Sequence, residues 1–171
     1  MIAKIVAARN LSDACKKVVR NKGSAGIDGM PTTELKAFMD AHRSKVVGQL
    51  ISKSYRPDAI KGVAIPKPNG KTRLLGVPTV VDRWLQQAVS QQLVIHFELD
   101  FEMDSYGFRP GKNLQQAVLK SQGYINDGYQ DIVDIDLKSF FDEVQHYKLH
   151  NPAKADRRSV SKRTLFFKFF C

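Results

Sequence analysis

Ile132-Val133-Asp134-Ile135-Asp136-Leu137-Lys138-Ser139-Phe140-Phe141-Asp142 is the stretch on which the reading of this chain turns. Gln130 to Ile135 reads as a short buried strand that delivers Asp134 and Asp136 near its end. Carboxylates at the end of an apolar strand are costly unless a positive charge compensates them, because desolvating an unpaired charge is unfavourable. A divalent cation is the usual compensation, and hard oxygen donors suit Mg²⁺. Alternate residues of a strand share a face, so a regular strand points Asp134 and Asp136 the same way. The plainer reading is a cap on the following helix, and Asp134 or Asp142 can serve as that alone.

Upstream lies Ile65-Pro66-Lys67-Pro68-Asn69-Gly70-Lys71-Thr72-Arg73-Leu74-Leu75-Gly76-Val77-Pro78. Val63 and Ile65 alternate with smaller residues, Pro68 to Lys71 is a turn, and Arg73 to Val77 returns, which predicts a β-hairpin over 62–77. Lys67, Lys71 and Arg73 cluster at its tip and on its returning strand. Such a clamp suits a triphosphate or a nucleic-acid backbone. Standing alone, it would read as a solvated basic turn.

The remaining segments are mostly helical. Residues 11–21 predict a short amphipathic helix with Ser12 as N-cap and Ala14, Val18 and Val19 facing inward. Asn21 to Gly29 holds three glycines, with only Ile27 to anchor it. It is either a flexible connector or a loop whose bare backbone approaches a phosphate or a neighbouring strand. Thr32 or Thr33 then caps a helix running towards Ser54, with Leu35, Phe38, Val46, Val47, Leu50 and Ile51 as apolar contacts. Thr79 followed by Asp82 resembles a capping box. Behind it Val81, Trp84, Leu85, Ala88 and Val89 form an apolar face, continued by Leu93 and Phe97. An acidic run, Glu98 to Asp104, leads into Ser105-Tyr106-Gly107-Phe108-Arg109-Pro110-Gly111-Lys112, and a further helix occupies about 113–127. Helices with two strand regions and no repeats make the class α+β.

The chain has 171 residues, 43% apolar and 26% charged, an ordinary globular composition that excludes a disordered tail. Its formal charge of +10 points to a polyanionic partner, although a basic surface can also be inert. Residues 1–149 carry 21 Lys+Arg against 16 Asp+Glu, and 150–171 carry 6 against 1, so a short tail holds half the surplus. No run approaches the ~18 apolar residues of a membrane span, and Met1 to Asn10 lacks the apolar core of a signal peptide. The expected location is cytoplasmic. Cys15 and Cys171 form no metal-spaced cluster, and Cys15 reads as a reduced, buried helix residue.

Five segments in this order resemble the reverse transcriptase domain of bacterial group II intron-encoded proteins, which are reverse transcriptase/maturases. They are KGSAGIDG, the Tyr-Arg-Pro before IPKPNGKTRLLGVPT, then VDRWLQQAV, SYGFRPGKN and DIDLKSFFDEV. Each is weak alone, but together they cover about residues 10–149. The resemblance implies fingers with an N-terminal extension over 1–110 and the start of the palm over 111–149, the front of a right-hand polymerase. It implies RNA-templated nucleotidyl transfer on an RNA template and DNA primer, with dNTP as substrate, two Mg²⁺ ions, and intron RNA as a further partner. Asp136 matches the first catalytic aspartate, with the Leu137 carbonyl as a further metal ligand. Phe141 matches the steric gate against a 2′-hydroxyl. Lys71 and Arg73, and with less force Lys67, match the basic residues on the dNTP triphosphate. Arg109 and Lys112 fall in the segment near the template and the nucleotide pocket, where the resemblance implies nucleic-acid binding with Arg109 as the contact, and Lys22 and Gly23 fall in the loop that contacts template RNA. Asp134 matches no invariant ligand and reads as structural.

Two features depart from that pattern. The Tyr/Phe-x-Asp-Asp hairpin that supplies the other metal-binding carboxylates is missing from these residues, as are the thumb and any maturase segment. A two-metal site needs several carboxylates between its like-charged ions, so this chain alone is expected to be inactive as a polymerase. After Leu149, residues 150–171 show no helical face and turn abruptly basic, as a change of reading frame or a disrupted gene would produce. The alternatives are a retron-like bacterial reverse transcriptase and a non-catalytic RNA-binding remnant.

Overall fold

The structure is a computed structural model that describes residues 1–66, 68 and 70–137. The chain divides into two compact units, Met1–Leu99 and Asp100–Cys171. Lys67, Phe141 and the basic tail 150–171 lie outside the described residues.

In the first unit, helices α1 (Ile2–Ile5), α2 (Ala8–Arg20), α3 (Leu35–Ile51) and α4 (Val80–Phe97) surround one apolar core, and strands β1 (Lys61–Pro66) and β2 (Thr72–Val77) form a hairpin. The core combines Ile5, Leu11, Ala14, Cys15 and Val18 with Leu35, Met39 and Val46, and with Val80, Trp84, Leu85 and Ala88. Leu11 and Leu35 are wholly buried, each stabilising the fold by about 1.5–3 kcal/mol. The α2 spacing 11, 14, 15, 18 is one helical face, and the α4 spacing 84, 85, 88 is the face it meets. Trp84 satisfies its indole N–H by donating to the Leu11 carbonyl at 2.8 Å, so its large ring is buried without a polar penalty.

A polar joint reinforces the same packing. Asn10 is buried, and its Nδ2 donates to the carbonyls of Ile5 (2.8 Å) and Ala88 (3.0 Å). Its own Oδ1 accepts from Gln91 (2.8 Å) and Gln92 (2.7 Å). Every polar atom of that side chain is therefore used between α1, α2 and α4, as a buried amide requires.

Two helix starts differ from the sequence expectation. Helix α2 begins at Ala8 behind an Ala7 N-cap with no side-chain bond, so Ser12 is a second-turn residue rather than the cap. Leu11 and Asn10 explain the earlier start, because their burial places the first turn inside the core. Thr32 opens a 3₁₀ turn (Thr32–Glu34) that leads into α3, again without a side-chain cap. Phe97, expected to extend the α4 apolar face, is 53% exposed.

The hairpin has the expected form. β1 and β2 are antiparallel with Ile65 opposite Arg73 and Pro66 opposite Thr72, and Gly70 takes the left-handed backbone (φ +76°) that its turn demands. Its strands are almost wholly exposed. An isolated two-stranded hairpin is marginal in water, so its position must be set at its root.

In the second unit a loop over 101–112 leads into α5 (Leu114–Asn126). Helix α5 carries a full capping box: Asn113 Oδ1 accepts from the Gln116 amide (2.9 Å) and Gln116 Oε1 accepts from the Asn113 amide (3.0 Å). Gln130 to Ile135, expected to be a buried strand, is neither paired nor buried; Ile132 and Val133 are each 83% exposed. A strand exists only as part of a ladder, and among the described residues this segment has no neighbouring strand to complete one. No helix among the described residues is long and apolar enough to cross a membrane.

Candidate nucleic-acid interface

Charge separates along the sequence between the two units. Residues 1–99 carry 16 Lys+Arg against 7 Asp+Glu, whereas residues 100–137 carry 3 against 7. The polyanion-attracting surplus of the described residues therefore belongs to the first unit.

The hairpin that displays Lys71 and Arg73 is rooted at Asp82. This buried carboxylate sits in the first turn of α4, where Thr79 is the N-cap and its hydroxyl accepts from the Asp82 amide at 3.2 Å. The reciprocal half of a capping box is replaced by other donors. Asp82 Oδ2 accepts from the Thr79 hydroxyl (2.7 Å) and the Asp58 amide (3.2 Å), and Oδ1 accepts from the Tyr55 hydroxyl (2.7 Å). Tyr55 and Asp58 enter the hairpin and Thr79 leaves it, so one carboxylate holds both of its ends. Burial, and next the bond to Asp82, push the Tyr55 hydroxyl well above its ordinary pKa and keep it a donor. Lys71 and Arg73 are exposed on the arm so held.

The glycine loop after α2 is fixed to the same helix. Lys22 takes a left-handed backbone (φ +48°) at the helix exit. The loop's anchor is Gly26 rather than Ile27, which is 58% exposed. A Cβ on Gly26 would stand 2.6 Å from Thr79 Cα and 2.8 Å from Thr79 N, so only glycine permits this approach. Arg83 Nη2 donates to the Ser24 carbonyl, and Gly23 lies directly against the same guanidinium. The sequence marked Arg83 only as a letter within VDRWLQQAV; its isolated cation beside a buried helix face was the available signal.

In the second unit the structure brings Arg109 and Lys112 together on one loop, where both hold the chain itself. Arg109 Nη1 donates to the carbonyls of Glu102 (2.6 Å) and Ser105 (2.9 Å), and its guanidinium lies 5.2 Å from the Phe101 ring centre. Lys112 Nζ donates to the Met103 carbonyl at 2.8 Å and stands 4.9 Å from the Tyr106 ring centre. Phe108, between them, has a left-handed backbone (φ +54°), which is costly for a bulky residue and persists only where its surroundings dictate it. Asp104 accepts from the Tyr124 hydroxyl (2.7 Å) and faces Lys120 (3.9 Å), tying the loop to α5.

Asp134, Asp136 and Leu137 lie on the exposed stretch after α5. Among the described residues no three His, Cys, Asp or Glu side chains converge where they could hold a metal ion. The donors described do not by themselves fit a Mg²⁺ site, and no chemical step is derived through one.

The sequence pattern of the family described as "Reverse transcriptase (RNA-dependent DNA polymerase)" matches residues 65–167, from the hairpin onward, and the chain belongs to that family. Within it the chain is akin to the group II intron reverse transcriptase/maturases. It is 34% identical to "Protein YkfC" of Escherichia coli (strain K12) over 157 residues, 88% of this chain and 40% of that protein. It is 30% identical to "Group II intron-encoded protein LtrA" of Lactococcus lactis subsp. cremoris, over 91% of this chain and 26% of the relative. Over 84% of this chain it is 25% identical to 16% of "Putative COX1/OXI3 intron 2 protein" of Saccharomyces cerevisiae. The chain thus spans 40% or less of the length of these curated relatives.

Proposed function

We propose that this chain is the part of a group II intron-type RNA-directed DNA polymerase that grips nucleic acid and nucleotide, with fingers over 1–110 and the start of the palm over 111–149. The observation that carries the reading is the basic hairpin clamped at both ends by Asp82. A rigid root turns an otherwise marginal hairpin into an arm that presents Lys71 and Arg73 at a fixed place, as a grip on a triphosphate requires. The family match beginning at Ile65 supports the same assignment.

In the whole protein, RNA template and DNA primer would lie against the basic first unit, Lys22 and Gly23 would meet template RNA, and Lys67 would join the triphosphate grip. Arg109 and Lys112 would shape the template-side loop, and Phe141 would exclude a 2′-hydroxyl. Asp136 and the Leu137 carbonyl would contribute to the metal centre. There Mg²⁺ would neutralise phosphate charge, alongside carboxylates that these 171 residues do not supply. Binding of intron RNA, with assistance to its splicing, belongs to the same proposal for the full-length protein.

Primer extension tests this reading. The 171-residue chain, given an RNA template, a DNA primer, dNTPs and Mg²⁺, should retain the template–primer without extending it. Extension would show that a complete catalytic site is present, and failure to retain the duplex would remove the grip.

A further inference from the structure

We propose that the groove between α2 and α4 receives one unstacked nucleobase of a single-stranded RNA. The groove has a volume of about 280 Å³, room for a single planar heterocycle, and opens to solvent. Val18 and Asn21 line it from the end of α2, and Arg83, Gln86, Gln87 and Ser90 from α4. The α4 residues recur at intervals of three and four, so they form one polar stripe beside the buried stripe of Trp84, Leu85 and Ala88.

The chemistry of the lining favours a base over a phosphate. A phosphate wants donors and cations alone, whereas Asn21, Gln86 and Gln87 each offer a donor and an acceptor, the mixed pattern of a base edge. Val18, otherwise buried in the core, closes the floor of the groove. Arg83 spends one terminal nitrogen on the Ser24 carbonyl, and its buried Nε–H has no partner. That nitrogen is enclosed and out of a ligand's reach, but the planar guanidinium of this lining residue offers a surface on which a base can stack. Lys17 and Arg20 in the last turn of α2, and Lys22 beyond it, are exposed cations beside the groove. They would neutralise the phosphates on either side of the inserted base.

The inference rests on the RNA-binding reading above and adds a base-reading site to it. The probes are fluorescent 12-nucleotide oligouridylate and an abasic ribose-phosphate chain of equal length, with binding to the 171-residue protein followed by anisotropy. Gln86→Ala/Gln87→Ala should weaken oligouridylate binding about tenfold, leave the salt slope unchanged, and leave abasic-chain binding unaltered. Equal loss on both probes would overturn the base pocket, as would no loss on either. If the unsubstituted chain binds neither probe, the RNA-binding reading falls and the pocket with it. Should the double variant fail to fold, photo-crosslinking of 4-thiouridine RNA to the unaltered chain decides the matter. Crosslinks at residues 18–21 or 83–90 support the pocket, and crosslinks confined elsewhere refute it.

Discussion

Tyr55 donates a 2.7 Å hydrogen bond to Asp82, joining the segment that enters the basic hairpin to the helix that follows it. Asp82 also accepts from Thr79 and Asp58, so this small polar knot sets where the arm leaves the core. Hydrogen bonds to charged groups stabilise more than neutral ones, and losing one leaves a buried carboxylate short of a partner.

Replacing Tyr55 by Phe should therefore destabilise the first unit by about 1–3 kcal/mol. It should also alter the alkaline limit. The folded state holds the Tyr55 proton more tightly than the unfolded chain does, chiefly through burial. The stabilisation is complete below the ordinary tyrosine pKa of about 10 and is lost as pH rises above it through the raised folded value. Urea unfolding between pH 9 and pH 11 should show a steeper loss in the native chain than in Tyr55→Phe. Parallel curves would mean that this proton is not linked to folding.

Gly26 and Gly29 separate close packing from backbone freedom. Gly26→Ala drives a Cβ into the Thr79 backbone, which has no side chain to swing aside, and should cost about 1–3 kcal/mol. Gly29→Ala meets no atom within 4 Å and bears only the penalty of its φ of +75°, about 1–2 kcal/mol. Only Gly26→Ala should also speed amide exchange at Ser24 and Ala25, because it alone lifts the loop off α4.

Arg109 is placed as a staple within its own loop. Arg109→Ala should raise amide exchange across residues 101–112 about tenfold in the protein without any ligand, as removal of a charged hydrogen bond implies. Unchanged exchange in the free protein, with weaker nucleic-acid binding, would return Arg109 to the direct contact that its motif implied.

Cys15 is buried in α2, and burial pushes its thiol pKa up, which holds it in the unreactive protonated form. In a Cys171→Ser background the folded chain should resist alkylation at neutral pH and react readily in urea. Ready reaction of the folded chain would place Cys15 outside the core.

The elements most legible in the sequence were those fixed by local chemistry. The hairpin follows from Pro68 and Gly70 and the α4 cap from Thr79; each signal lies within a few residues of its effect. What the sequence concealed depends on distant partners. Ser12 looked like a helix start because burial of Asn10 and Leu11 is a tertiary fact. Asp82 looked like half of a local capping box, yet it binds Tyr55 from 27 residues away. Gln130 to Ile135 has the composition of a strand, but composition cannot provide the neighbouring strand that makes one. The motif implies that Arg109 and Lys112 lie near the template, and only the folded loop reveals the carbonyls they hold.

The salt dependence of RNA affinity tests the nucleic-acid grip most directly. Dissociation constants for a single-stranded RNA should be measured from about 50 to 200 mM salt, with Mg²⁺ and with chelator, for the native chain and for Lys71→Ala/Arg73→Ala. The basic hairpin predicts a steep linear fall of log affinity with log salt, present without Mg²⁺. The double variant should be shallower by about 0.7 for each phosphate no longer neutralised, or roughly 1.4 in all. A flat native slope, or a variant with the slope of the native chain, would contradict the assignment of the hairpin as a phosphate-gripping arm.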